Sequence, residues 1–248
     1  ALMPPRNSPL SSDSTVFRDG SEEEVLSRLE SIDFKLNEQE SLSILTNPNC
    51  TWKTIHHIAE SKDLTSFHKV RFALVRNPTT PSPVAQRFVP VLYWKELLEI
   101  TLDQRTPPLI RRIGEKTLRE RLPGMGLGEK ISLARRAPQA LLPDLRREKH
   151  LKVIEALMEN PRMTIVHLQV IANDPGTSGE ILTHLSRLPK WSNQYCIKMA
   201  LVKNPATPLG TALGFLSSLK RIDLQGITKN PAIRHAIKVA AQNLLERR

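Results

Sequence analysis

Apolar side chains recur at helical spacing along most of this chain. Between positions 148 and 159, Leu151, Ile154, Leu157 and Met158 share one helical face while Glu148, Lys152, Glu155 and Glu159 occupy the other. Ile233, Ile237, Ala240 and Leu244 draw the same stripe near the end. No strand-like alternation competes with it, so the pattern predicts an all-α fold. Prolines punctuate the stripes: Pro48, Pro78 and Pro108 stand 30 residues apart, Pro175, Pro205 and Pro231 follow at spacings of 30 and 26, and Pro138 and Pro161 fall between the two sets.

The best copies of this punctuation read as helix–turn–helix. Asn77 and Asn204 are suited to the left-handed conformation that ends a helix, and the proline after each cannot continue it. Thr80 and Thr207 are expected as N-caps, with Pro81 and Pro208 at the first helical position; Thr106-Pro107 gives the same signal. Capping boxes are expected at Ser21/Glu24, Asn37/Glu40 and Thr177/Glu180. Residues 1–20, rich in proline and serine, read as a flexible tail.

A longer period contains the short one. Displaced by 127 positions, Ala73-Leu-Val-Arg-Asn-Pro-Thr-Thr-Pro81 lies on Ala200-Leu-Val-Lys-Asn-Pro-Ala-Thr-Pro208, and 73–101 matches 200–228 at 13 of 29 positions without a gap. Helix pairs this small bury their apolar faces only by stacking on neighbours. The expected architecture is therefore an α-solenoid of short helical repeats with two tandem related halves, residues 21–122 and 123–248, forming one continuous solenoid after the tail.

These units resemble helical repeats of the leucine-rich-repeat-variant and HEAT-like type, in which a unit reads Leu-Ala-x-Asn-Pro-x-Thr-Pro ahead of an apolar helix. The resemblance runs over about residues 40–248. The segment Leu127-Gly-Glu-Lys-Ile-Ser-Leu-Ala-Arg-Arg136 is similar to one found ahead of such repeats in a group of largely uncharacterised bacterial proteins. The resemblance implies a right-handed superhelix of short helices and no particular activity.

Composition fits a helical body: 40% of the 248 residues are hydrophobic, only 4% are aromatic, and Leu, Ile, Val and Ala fill the interior. Two cysteines, Cys50 and Cys196, are too few and too distant for a disulfide framework or a four-ligand zinc site, which points to a reducing, cytoplasmic setting. The longest nearly apolar run, Phe88 to Trp94, is far short of the roughly 20 residues that span a bilayer, so no membrane insertion is expected. The net charge of +11 is uneven. Residues 1–50 hold four basic and nine acidic side chains, leaving 32 and 16 for the remainder.

Several motifs bear on chemistry. Pro123-Gly-Met-Gly-Leu-Gly-Glu-Lys130 looks phosphate-friendly, but a P-loop needs Gly-Lys-Ser/Thr and here Glu129 intervenes, so the glycines read as a connector. His56, His57 and Glu60 lack a third ligand. Trp52, Trp94 and Trp191 do not coincide under the 127-residue shift and read as partly buried local anchors. No catalytic, cofactor or metal site is expected. The strongest candidate surface is the stretch Arg105–Lys152, with 13 basic against five acidic residues. Within it Arg111, Arg112, Lys116, Arg135, Arg136, Arg146, Arg147 and Lys149 are the candidate contacts to an anionic partner. The expected function is a non-catalytic binding scaffold for a protein partner. A nucleic-acid binder is the alternative, and a helical-repeat glycosylase-type enzyme stands third.

Overall fold

The computed structural model describes residues 12–29 and 36–247. The protein is all-α: helices and three single 3-10 turns, with no strand among the described residues. No helix among them is long and apolar enough to cross a membrane. The chain divides into two compact units, Ala1–Pro123 and Gly124–Arg248.

Unit 1 contains α1 (Ser12–Asp19), α2 (Glu22–Leu29), α3 (Glu38–Thr46), α4 (Trp52–Glu60), α5 (Lys62–Ser66), α6 (His68–Arg76), α7 (Ser82–Phe88), α8 (Trp94–Leu102) and α9 (Pro108–Arg121). Helices α1, α3 and α6 follow one another side by side, α6 touches α8, and α7 and α8 both rest on α9. Ile44, Ile55, Ile58, Leu74, Leu97, Ile100, Ile110 and Leu118 fill the interior, each at most 1% exposed. Each such side chain contributes about 1.5–3 kcal/mol by leaving water.

Unit 2 contains α10 (Leu127–Arg136), α11 (Leu142–Leu145), α12 (Leu151–Met158), α13 (Ile165–Asn173), α14 (Gly179–Arg187), α15 (Pro189–Ser192), α16 (Tyr195–Lys203), α17 (Leu209–Leu216), α18 (Arg221–Lys229) and α19 (His235–Glu246). Here α10 lies on α12, α13 on α16, and α17 and α18 on α19. Its C-terminal core joins Val202, Leu216, Leu219, Leu224, Ile227, Ile233 and Ile237. The first residues of α3 through α9 (38, 52, 62, 68, 82, 94 and 108) each recur 127 positions later as the first residues of α13 through α19.

Seven turns are built alike, beginning at Asn47, Asn77, Asp103, Asn160, Asp174, Asn204 and Asn230. In each, the side-chain oxygen accepts the N–H two residues on, at 2.8–3.0 Å. The carbonyl of the same residue accepts the N–H three residues on. This double closure ends one helix and starts the next without a left-handed residue, which corrects the expectation for Asn77 and Asn204. Their φ,ψ values are −69°,121° and −73°,122°, and no described residue has positive φ. The proline that follows excludes the helical region for the residue before it, and the side-chain oxygen holds the extended alternative.

Four of these turns are also tied to the end of an earlier helix. The Asn47 amide donates to the carbonyls of Phe17 and Gly20, Asn77 to Leu45, Asn160 to Ala134 and Ala137, and Asn204 to Ala172 and Asp174. Phe17, Leu45, Ala134 and Ala172 stand in the last turns of their helices, where carbonyls lack a partner within the helix, and Gly20, Ala137 and Asp174 are the residues just beyond those ends.

Three further expectations are corrected. Pro81, Pro107 and Pro208 themselves occupy the N-cap position, while Thr80, Thr106 and Thr207 point inward, at most 4% exposed, with hydroxyls that find no hydrogen-bond partner. Before α14 the cap is Ser178, whose hydroxyl accepts from the Ile181 N–H, and Thr177 instead donates to the Ile171 carbonyl. Residues 12–19, read as tail, form α1, with Phe17 fully buried; residues 1–11 lie outside the described part. A single aromatic in a Ser/Asp-rich segment gives no period to read, and the anchor is supplied by Asn47 from 30 residues away. The boxes at Ser21/Glu24 and Asn37/Glu40 form as expected.

Candidate functional site

The turns at Asn47, Asn77 and Asp103 place the ends of α3, α6 and α8 along one edge of unit 1, and a groove of about 550 Å³ opens beside them. Leu42 and Leu45 of α3, Phe72 and Ala73 of α6, and the rings of Pro48 and Pro78 supply its apolar lining. The charged lining is Lys69 and Arg76 of α6 together with Asp103 and Arg105 after α8, three cations against one carboxylate.

Helical period explains how α6 serves both the core and the groove. Val70, Leu74 and Val75 are buried, whereas Lys69, Phe72, Ala73 and Arg76 follow the i, i+3, i+4, i+7 sequence of a second face. Arg76 makes an ion pair with Glu99 at 2.9 Å, both side chains being about half exposed. Arg105 reaches Asp103 at 3.3 Å, and the Arg105 backbone N–H and guanidinium hold the Asp103 carboxyl below its ordinary pKa. Lys69 is exposed and has no carboxylate partner among the described residues.

At the opposite end of α6 a polar clasp repeats between the two units. His68 Nε2 lies 2.6 Å from Glu96 Oε2, and the Tyr93 ring sits on the imidazole with centroids 3.9 Å apart. The residues 127 positions on are Tyr195, Asp223 and Lys220. There the Tyr195 hydroxyl donates to Asp223 Oδ2, accepts from the Lys220 N–H, and has the Lys220 ammonium 5.3 Å from its ring centroid. Burial first, and then the Asp223 carboxylate, raise the Tyr195 pKa. The geometry is that of a fastener between the starts of alternate helices, α6 with α8 and α16 with α18.

The eight basic candidates divide between the units. Arg111, Arg112 and Lys116 lie on α9. Arg111 turns inward with its Nε buried, while Arg112 and Lys116 share the solvent face, Lys116 being 3.8 Å from Glu120. In unit 2, Arg135 and Arg136 complete the last turn of α10, where cations suit the helix dipole, and Arg135 pairs with Glu159 at 3.2 Å. Arg146 is half-buried; Arg147 and Lys149 are exposed. The candidates therefore fall into two sets, three on unit 1 and five on unit 2.

Other motifs resolve into local structure. Glu129, the residue that breaks the P-loop order, accepts the Gly126 N–H at 3.0 Å and closes the start of α10. Glu60 pairs with Arg87 at 2.7 Å, and His184 with Glu155 at 3.1 Å. Trp191 is buried, with the Lys190 ammonium 4.3 Å from its ring centroid, whereas Trp52 is 59% exposed rather than partly buried. Burial pushes the Cys50 thiol up, and the neighbouring Thr54 hydroxyl opposes that shift.

Charge density does not reveal the groove residues, because α6 carries only three cations on nine residues besides its histidine. The signal was present in the repeat: under the 127-residue shift Lys69 and Phe72 fall on Cys196 and Met199 while Ala73, Leu74 and Val75 are unchanged. Comparison with known protein families, with curated proteins and with solved structures finds no match to this chain.

Proposed function

We propose that this chain is a non-catalytic, cytoplasmic α-solenoid scaffold, with two tandem related halves, that holds a segment of a protein partner in the groove of unit 1. The observation that carries the reading is the second face of α6. A helix whose apolar residues served only the core would leave Phe72 no role, yet Phe72 lies in an open apolar groove bordered by cations. Apolar anchors in concave pockets with a charged rim are what protein recognition uses.

The test is selection of peptides from a displayed random library on the intact chain, followed by affinity measurement on wild type and Phe72→Ala. Expected are peptides that bind in the micromolar range and lose at least tenfold in affinity in the variant. Peptides that bind both proteins equally would overturn the reading. A second reading, phosphate-backbone binding, draws on the exposed Arg136, Arg147 and Lys149 of unit 2. It requires duplex DNA affinity that falls with salt at a slope of about −0.9 per phosphate contacted and flattens in Arg147→Glu/Lys149→Glu.

A further inference from the structure

We infer that the groove of unit 1 selects an extended partner segment carrying two carboxylates three residues apart with an apolar residue between them. This rests on the groove being a protein-binding site, and it adds the chemistry of what is bound. Lys69 and Arg76 are separated by seven residues of one helix. They therefore stand about 10.5 Å apart along the axis and only about 20° apart around it. Phe72 and Ala73 lie between them on the same face, so α6 presents cation, apolar floor and cation in line.

That line has a measure, and few backbone conformations match it. In a polyproline-II segment, residues i and i+3 point the same way about 9.3 Å apart. In a β-strand the same-side spacings are about 6.7 Å for i,i+2 and about 13 Å for i,i+4. Carboxylates at i and i+3 of a polyproline-II segment thus meet both cations with ordinary side-chain adjustment. The residues between them point about 120° to either side of that line, so one of them reaches the apolar lining that α3 supplies through Leu42 and Leu45 while the segment's backbone lies over Phe72. Charge selects the sign, since the lining carries Lys69, Arg76 and Arg105 against Asp103 alone. Arg76 already has Glu99 as a partner, but that pair is half exposed on both sides and is exchanged for a partner carboxylate at small cost. Unit 2 lacks the device, because the residues 127 positions on are Cys196, Met199 and Lys203, leaving one cation of the two.

The experiment is fluorescence anisotropy of the intact chain with labelled dodecapeptides holding Glu-Pro-Leu-Glu, Gln-Pro-Leu-Gln or adjacent Glu-Glu in Gly-Ser flanks. Expected is tightest binding of Glu-Pro-Leu-Glu, a loss of roughly threefold to fivefold for each carboxylate removed or misplaced, and weakening as salt rises. Lys69→Glu, an exposed substitution without a packing role, is expected to abolish the preference and to restore binding to one of the two mixed peptides, Lys-Pro-Leu-Glu or Glu-Pro-Leu-Lys. The one restored reports the direction in which the segment runs. Equal binding of the Gln peptide, or of Glu-Pro-Leu-Glu to Lys69→Glu, overturns the acidic chemistry while sensitivity to Phe72→Ala keeps the groove itself as the site. Peptide binding indifferent to both Lys69→Glu and Phe72→Ala overturns the groove as well. A single-stranded oligonucleotide that displaces the peptide and itself depends on Lys69 would assign the groove to nucleic acid and overturn both.

Discussion

Replacing Thr207 by valine is expected to stabilise this protein by about 1 kcal/mol, whereas an N-cap role would make the same change destabilising. Thr207 is fully buried and its Oγ1 has no hydrogen-bond partner. A buried hydroxyl left unpaired costs about 1–3 kcal/mol, and exchanging it for a methyl of the same shape removes that penalty while keeping the β-branched rotamer. Thr207→Ala also removes the penalty but loses a buried methyl, worth about 1 kcal/mol with its cavity, so it is expected to fall near neutral. Valine and alanine should therefore differ by about 1 kcal/mol in favour of valine. As an N-cap, threonine would exceed both by about 1 kcal/mol. The chain already contains the comparison, since Cys50, Met163 and Ile233 occupy the corresponding turn position and are buried without any such hydroxyl. Urea midpoints at constant m-value, or melting temperatures with shifts of about 2–4 °C per kcal/mol, resolve the difference. Thr80→Val, in the other unit, should add to it. A valine variant less stable than wild type by 1 kcal/mol would refute the reasoning.

Other outcomes follow from the same contacts. Asn204→Asp should destabilise by about 3 kcal/mol or more, because a carboxylate would face the Ala172 and Asp174 carbonyls that now receive the amide, while Asn230→Asp should be nearly silent in the same denaturation assay. Tyr195 has a pKa raised in the folded state, so its contribution is present in full below about pH 10 and is lost as pH rises through the folded value; Tyr195→Phe should remove that fall in stability on the alkaline side. Iodoacetamide should label the part-exposed Cys196 before Cys50, whose buried thiol resists ionisation, with the order read by mass spectrometry of peptides.

How much of this was legible beforehand depended on whether a feature was local. Helix positions were readable because apolar stripes and prolines are properties of adjacent residues, and the capping boxes at Ser21 and Asn37 formed for the same reason. The cap assigned to Thr80 and Thr207 failed by a single residue. Thr-Pro is an ordinary cap signal, but the preceding Asn had already closed the turn by accepting two N–H groups, which turned the threonine inward. The helix α1 was invisible because its anchor is Asn47, far along the chain. For the site, charge counting found the cations of α9 to α12 and passed over α6, where alternation with Phe72 matters more than density.

The turn residue itself shows how local and distant demands combine. Every one of the seven turns needs a side-chain oxygen to accept the N–H two residues on, which Asn and Asp supply equally well. Where the turn must also donate to a neighbouring helix end, the residue is Asn, as at 47, 77, 160 and 204. At 103 and 174 the residue is Asp, with an oxygen where the donating amide would be, and Asp103 uses its second oxygen for the Arg105 guanidinium at the groove. An aspartate at a tied position would set oxygen against oxygen, while an asparagine at 103 would weaken the hold on Arg105. Every turn fastened through its side-chain amide is therefore an asparagine, but an asparagine need not be fastened, since Asn230 closes its turn without such a tie among the described residues, and of the two aspartates it is Asp103 that lines the groove.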